Sequence, residues 1–126
     1  MTFKLTAPKL HVTEKHVAGA CLELLQYRGY FPVRLQSGYW KSLDGKRVRR
    51  MGFPGLPDYV AAHETYPAVF LETKAPKGKL SGAQEQTIWG MRSAFRLAVV
   101  AVSDVGALDA WLDEHEAAAR KRWQNQ

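Results

Sequence analysis

The sequence predicts an α/β fold in a single domain, with a mixed β-sheet flanked by helices. Three observations carry this. Apolar residues recur at helical spacing in Val17–Leu25 and again from Leu108 to His115, and short strand-like runs lie between them. The order is helix, strand with a polar hairpin, central hairpin, helix, strand, helix, the pattern of helices layered on a sheet. At 126 residues the chain is long enough to bury one core without disulfides, and no second domain fits.

Residues 1–10 hold a proline and two lysines with no clear period and read as a flexible arm. A helix is expected from Thr13, which can cap it. Val17, Ala20, Cys21, Leu24 and Leu25 form its apolar stripe, and Gly29 ends it. At about 100° per residue, Glu14 lies on the side of Val17, Cys21 and Leu25, whereas Glu23 points the opposite way. Glu14 is therefore expected to face inward, although the helix dipole alone also favours an acid in the first turn. Tyr30 to Leu35 reads as a strand and Gln36 to Arg50 as a polar hairpin turning at Asp44-Gly45. The hairpin carries Lys41, Lys46, Arg47, Arg49 and Arg50, with Tyr39 and Trp40 interleaved as faces on which a base can stack, or as rings packed on the sheet.

Gly52, Pro54, Gly55 and Pro57 make a rigid turn with little side-chain bulk, close to which a phosphate backbone can approach. It leads into the central hairpin. Tyr59 to Ala62 and Ala68 to Lys74 are strand-forming runs around the loop His63 to Pro67. Antiparallel pairing then sets Val60 opposite Phe70 and Asp58 opposite Glu72. Like charges directly opposite are destabilising, so the pair calls for a cation, and a hard divalent metal suits carboxylate oxygens. Lys74 shares the Glu72 face by alternation, while Thr73 is expected to point to the other side and to offer only its backbone carbonyl.

Ala75 to Leu80 is a loop with Lys77 and Lys79, and Ser81 opens a second helix. Ser81-x-x-Gln84 is a capping box, which explains Gln84 structurally. The same residue also shares a face with Ile88, Met91 and Phe95, aiming it at the sheet. Leu97 to Val102 reads as a fully buried strand. Ser103 and Asp104 open a last helix with Leu108, Trp111, Leu112 and His115 on one face, His115 as a packing residue. Arg120-Lys121-Arg122-Trp123 ends the chain with basic charge and an aromatic ring.

These residues resemble the Pro-Asp, spacer, Glu-x-Lys signature of the PD-(D/E)XK nuclease superfamily. The flanks Gln36-Ser37-Gly38, Gly52-Phe53-Pro54-Gly55-Leu56-Pro57-Asp58 and Leu71-Glu72-Thr73-Lys74 through Leu80-Ser81 and Gln84 are similar to the VRR-NUC family within it, over about Thr13 to Val102. The resemblance implies a restriction-endonuclease-like core of αβββαβ type, here with an extra C-terminal helix. It implies an active site of Glu14, Asp58, Glu72, Lys74 and Gln84, with Mg²⁺ or Mn²⁺ held by Asp58, Glu72, Thr73 and Glu14. It also implies cleavage of DNA, branched DNA such as four-way junctions included, by a homodimer; Trp111 and Trp123 are candidates for the interface.

Charge agrees with a polyanionic partner. Formal net charge is +6, and from Arg28 to Lys79 ten Lys or Arg stand against four acids, two of them Asp58 and Glu72. Lys41, Lys46, Arg47, Arg49, Arg50, Lys77 and Lys79 are the candidate DNA contacts. A merely solubilising basic surface is the plain alternative. No run approaches the ~20 apolar residues of a bilayer span, and no signal peptide is expected at the N-terminus. The single cysteine, Cys21, is expected in the core of a protein of the reducing, cytoplasmic interior. The four histidines show no zinc-ligand spacing with it. Two other functions fit parts of the sequence: a nucleic-acid-binding module without turnover, and a hydrolase of small phosphate esters.

Overall fold

The computed structural model describes residues 11–35, 38–51 and 54–125. It is an α/β fold with a four-stranded mixed sheet and three helices. In chain order the elements are α1 (Glu14–Tyr27), β1 (Phe31–Arg34), β2 (Gly38–Lys41), β3 (Val48–Met51), β4 (Tyr59–Ala62), β5 (Val69–Thr73), α2 (Gly82–Ser93), β6 (Ala98–Val102) and α3 (Val105–Gln124). The sheet runs β1-β4-β5-β6, antiparallel at its first two joints and parallel at β5–β6, while β2 and β3 pair only with each other. The sequence order of elements is thus the observed one. The polar hairpin stands as a separate two-stranded sheet between β1 and β4.

Helix starts are set by side chains that take up the free N–H groups of the first turn. Thr13 caps α1, Ser81 caps α2 and Asp104 caps α3, each accepting from the backbone N–H three residues on. The expected α1 stripe is buried at Val17, Cys21 and Leu25. It meets Ala61, Val69 and Leu71 of the sheet, Val100 and Val102 of β6, and Leu108 and Leu112 of α3 in one core cluster. α1 and α3 therefore cover one face of the sheet. The residues that alternate with this set, Phe70, Glu72 and Val99, face α2, where Ile88 is buried. Burial pushes the Cys21 thiol up to about 11, with the Asp104 charge adding to it, so it behaves as a small apolar core group.

One tie between α1 and α3 has no counterpart in the sequence expectations. Arg28, at the C-cap of α1, reaches Asp109 at 2.8 Å, Asp113 at 3.0 Å and Glu116 at 3.0 Å on α3, and the Tyr30 hydroxyl donates to Glu116 at 2.9 Å. Asp109, Asp113 and Glu116 recur at i, i+4 and i+7 on α3, a signal that identifies one acidic stripe but not its partner. His115, as expected, packs: it stacks on Trp111 and meets the Pro67 carbonyl at 3.0 Å. Trp123 stacks on Tyr66, so both tryptophans considered for a dimer interface have partners within the chain.

Two expectations are corrected. Phe95 does not continue the Ile88 stripe but is 74% exposed, because α2 ends at Ser93 and the chain turns through Arg96 at φ 53°. The last strand begins at Ala98, not Leu97, and Leu97 is 38% exposed; only Val99, Val100 and Val102 of it are fully buried.

The two outer strands of the sheet are blunted. Leu35 donates to the Asp58 carbonyl, so by alternation the backbone of Val33 faces β4 and that of Pro32 and Arg34 faces outward. Pro32, with no N–H, thus sits where an added strand would need a donor. At the far side, Arg92 of α2 donates through Nε at 3.0 Å and Nη2 at 2.7 Å to the Val99 carbonyl, which is directed away from β5.

Candidate metal centre

Val60 pairs with Phe70 and Tyr59 with Leu71, and one step further the same register sets Asp58 opposite Glu72, as expected. Glu14 joins them from the first turn of α1. One carboxylate oxygen from each of Glu14, Asp58 and Glu72 lies within 4.8 Å of the other two. The inward orientation expected for Glu14 is corrected: the residue is exposed, since it precedes the first buried turn, and its carboxylate reaches the cluster from the rim. Glu23 is exposed and outside the cluster.

Glu72 is the buried member, 1% exposed. Its Oε1 accepts from Gln84 Nε2 at 2.8 Å and meets Lys74 Nζ at 3.2 Å. Its Oε2 is buried with no hydrogen-bond partner among the described residues. A carboxylate oxygen so placed carries a desolvation cost that a cation would relieve. Burial, and after it the Asp58 charge, push the Glu72 carboxyl up to about 6, against the opposing pull of Lys74.

Gln84 both caps α2 and faces the sheet. Its Oε1 accepts from the Ser81 N–H at 2.8 Å, closing the capping box, while its Nε2 holds Glu72. The start of α2 and the orientation of the buried carboxylate are therefore fixed by one amide. Asp58 is fixed from the sheet: its Oδ2 accepts from the Thr73 N–H at 3.0 Å and the Thr73 hydroxyl at 3.2 Å. Thr73 points away from the Glu72 face, toward α1, as alternation predicts; the hydroxyl contact with Asp58 is what the expectation lacked. The Thr73 carbonyl lies on the same strand edge as its N–H, toward Asp58, which keeps it available as an oxygen donor.

Gly55 also departs from its expected use. At φ 77° it turns the chain against the first turn of α2, where an added Cβ would lie 2.3 Å from the Ala83 carbonyl oxygen. The space is taken by α2, not left open to a phosphate. The Thr87 hydroxyl donates to the Pro54 carbonyl at 2.7 Å and Pro57 is fully buried, so the turn and α2 form one unit behind Asp58.

Among the basic candidates, Lys41, Lys46 and Arg47 are exposed on the β2–β3 hairpin, and Lys77 and Lys79 are exposed on the loop between β5 and α2. The Ser42–Arg47 turn is held by Ser42 and Asp44 side chains, with Gly45 at φ 73°. Arg49 and Arg50 lie in β3 opposite Trp40 and Tyr39, but these four side chains, and Gln36, Ser37, Gly52 and Phe53 of the flanking motifs, lie outside the described residues. The sequence reading missed Lys15 and Arg34, which line the cavity beside Glu14 and Asp58. Lys15 follows Glu14, which was the available signal for it; Arg34 lies inside the expected strand Tyr30 to Leu35, and nothing local marked it.

The raised Glu72 carboxyl gives a stability prediction for metal-free protein. Between its ordinary 4.5 and about 6 the native state holds a proton that the unfolded chain has lost, so stability falls as pH rises through that window. The total is about 2 kcal/mol, at 1.36 kcal/mol per pKa unit. Glu72→Gln keeps an acceptor for Gln84 and abolishes this loss. Urea unfolding in EDTA from pH 4 to 7 should show the variant gaining on wild type as pH rises; parallel curves would rule out the assignment.

Among the described residues, no helix is long and apolar enough to cross a membrane. The chain matches no family model and no curated protein.

Proposed function

We propose that the protein is a Mg²⁺- or Mn²⁺-dependent endonuclease of the PD-(D/E)XK type, cutting branched DNA such as four-way junctions as a homodimer. The observation that carries this is the buried Glu72 with its unpartnered Oε2, set against Asp58 and Glu14 and beside Lys74. The donor set is all oxygen, which suits a hard divalent cation. Glu14, Asp58, Glu72 and the Thr73 carbonyl would hold it, and when bound the ion supplies charge neutralisation at a phosphate and a more acidic water.

The chain's own groups do the remaining work. Gln84 and Lys74 both engage Oε1 of Glu72, leaving Oε2 free to receive a ligand. Thr73 holds Asp58 in one orientation through two hydrogen bonds. Lys74, anchored to Glu72, keeps a cation at the edge of the cluster, where it can orient an attacking water or stabilise charge on the phosphate. The exposed cations of the β2–β3 hairpin and of the loop before α2 would hold the strand.

The exposed basic hairpin also supports a second reading, a binding module without turnover. Purified protein incubated with flap, nicked, linear and four-way DNA separates the two. Cleavage in Mg²⁺ or Mn²⁺ and none in EDTA is expected; binding without cleavage under every condition selects the module. Within the nuclease reading, Glu14→Ala should lower the cleavage rate by about 10- to 100-fold while leaving the fold intact, the range seen when groups supporting a metal are removed. Glu23→Ala should match wild type. Equal activities in single-turnover assays would remove Glu14 from the site.

A further inference from the structure

The end of the sheet has two sides. Glu72, Lys74 and Gln84 lie on the α2 side of the carboxylate cluster. On the α1 side a cavity of ≈ 350 Å³ opens beside the same cluster, lined by Glu14, Lys15, Arg34, Asp58, Tyr59 and Thr73. Register explains its membership. Arg34 pairs with Tyr59 across β1–β4 and Tyr59 with Leu71 across β4–β5, so Arg34 and Tyr59 share the face that α1 covers. Lys15 comes from the first turn of α1, one residue after Glu14.

Three features set this cavity apart from a general basic surface. Lys15 and Arg34 are exposed and form no ion pair among the described residues, although two carboxylates line the same cavity. Its wall combines these cations with a half-buried tyrosine and a threonine, a mixture of charge, ring and hydroxyl. Its volume is near the lower end for small-ligand pockets, enough for one nucleotide unit and too little for a duplex.

We propose that the cavity is a subsite for the single nucleotide next to the scissile phosphate, with Arg34 and Lys15 on its phosphate and the Tyr59 ring against its sugar or base. The proposal rests on the nuclease reading for the identity of the neighbouring site. A guanidinium matches two non-bridging oxygens of one phosphate, and an ammonium adds a compact charge. A tyrosine face accepts any sugar or base without regard to sequence. The strand would cross the carboxylates from the α1 side to the α2 side, with cations flanking the reacting phosphate on both. A duplex must open locally to place one nucleotide there, which is easiest at a branch point or nick.

The test uses strands in which one phosphate at a time is replaced by an uncharged methylphosphonate. Wild type should lose roughly tenfold in kcat/KM, mainly through KM, when the neutral linkage adjoins the cleaved bond, the size of one charge-assisted hydrogen bond. Lys15→Gln combined with Arg34→Gln should be at least roughly tenfold weaker on the natural strand and indifferent to that linkage, with its penalties elsewhere unchanged. If the double variant keeps the wild-type penalty at every position, the subsite is overturned while the nuclease reading stands. Binding of a fluorescent single strand in EDTA gives a readout without cleavage: the slope of log K against log salt should fall by about 0.7 in the double variant, because one phosphate is no longer neutralised. Should wild type cut no DNA, the nuclease reading fails and with it the place of the subsite beside a scissile phosphate; the slope then decides only whether the cavity binds a nucleotide phosphate, an unchanged slope overturning that as well.

Discussion

Asp58→Asn should abolish cleavage, with a loss on the order of 10³-fold or more, if the carboxylate contributes several kcal/mol of charge stabilisation at 1.36 kcal/mol per factor of ten. The fold should survive it. Asparagine can still present an oxygen to the Thr73 N–H and hydroxyl that now donate to Asp58 Oδ2. In EDTA the variant should be no less stable than wild type, because it removes a charge that raises the Glu72 carboxyl. Wild type should melt higher in Mg²⁺ or Mn²⁺ than in EDTA, since an ion that binds only the native state stabilises it, and the variant should lose most of that rise. DNA binding should persist through the exposed hairpin cations. Melting curves with and without metal, run beside a nicking assay, read all of this. Undiminished cleavage by Asp58→Asn would sink the nuclease assignment.

Gly55→Ala is expected to be the most damaging substitution outside the carboxylates. The residue sits at φ 77°, where a Cβ is strained in any case, and the added carbon would meet Ala83 O at 2.3 Å, Ala83 C at 2.4 Å and Gln84 N at 2.6 Å. These are backbone atoms of α2's first turn and cannot swing aside. Strain and overpacking together should cost about 2–5 kcal/mol. The displaced turn carries Gln84, so activity should fall along with stability. Gly82→Ala is the matched control on the same helix, where a Cβ meets nothing within 4 Å. That change should be neutral or stabilising by up to about 1 kcal/mol. Urea unfolding of the pair checks it; comparable stabilities would show that the Gly55 contact yields easily.

The central hairpin was legible because two independent signals agreed on it. Turn residues bounded the strands, and the loop between them, His63 to Pro67, fixed the register that brings Asp58 to Glu72. Helix caps at Thr13, Ser81 and Asp104 were legible for a similar reason: their chemistry is local. The misreadings share a different cause. Glu14 and Phe95 both lie at or beyond the end of an element, where the periodicity used to orient a side chain no longer governs it. Arg28 was missed because its partners lie 81 to 88 residues away, and no local pattern connects a single arginine to a distant acidic stripe. Gln84 shows that capping a helix and facing the sheet need not compete, since opposite ends of one amide make the two contacts.

Pro32 and Arg92 bear on how copies of this chain can meet. A strand from another molecule recruits a sheet by zipping onto free N–H and C=O groups, and that route to assembly is open-ended: each added copy presents a fresh margin. Here one margin lacks a donor at Pro32 and the other has its Val99 carbonyl already engaged by Arg92. Strand addition at these two margins is thereby disfavoured, which leaves side-chain contacts, whose shape is met once and then used up, as the more favourable way for copies to meet. A closed two-fold dimer is compatible with that arrangement, and runaway polymerisation at high concentration is discouraged by it.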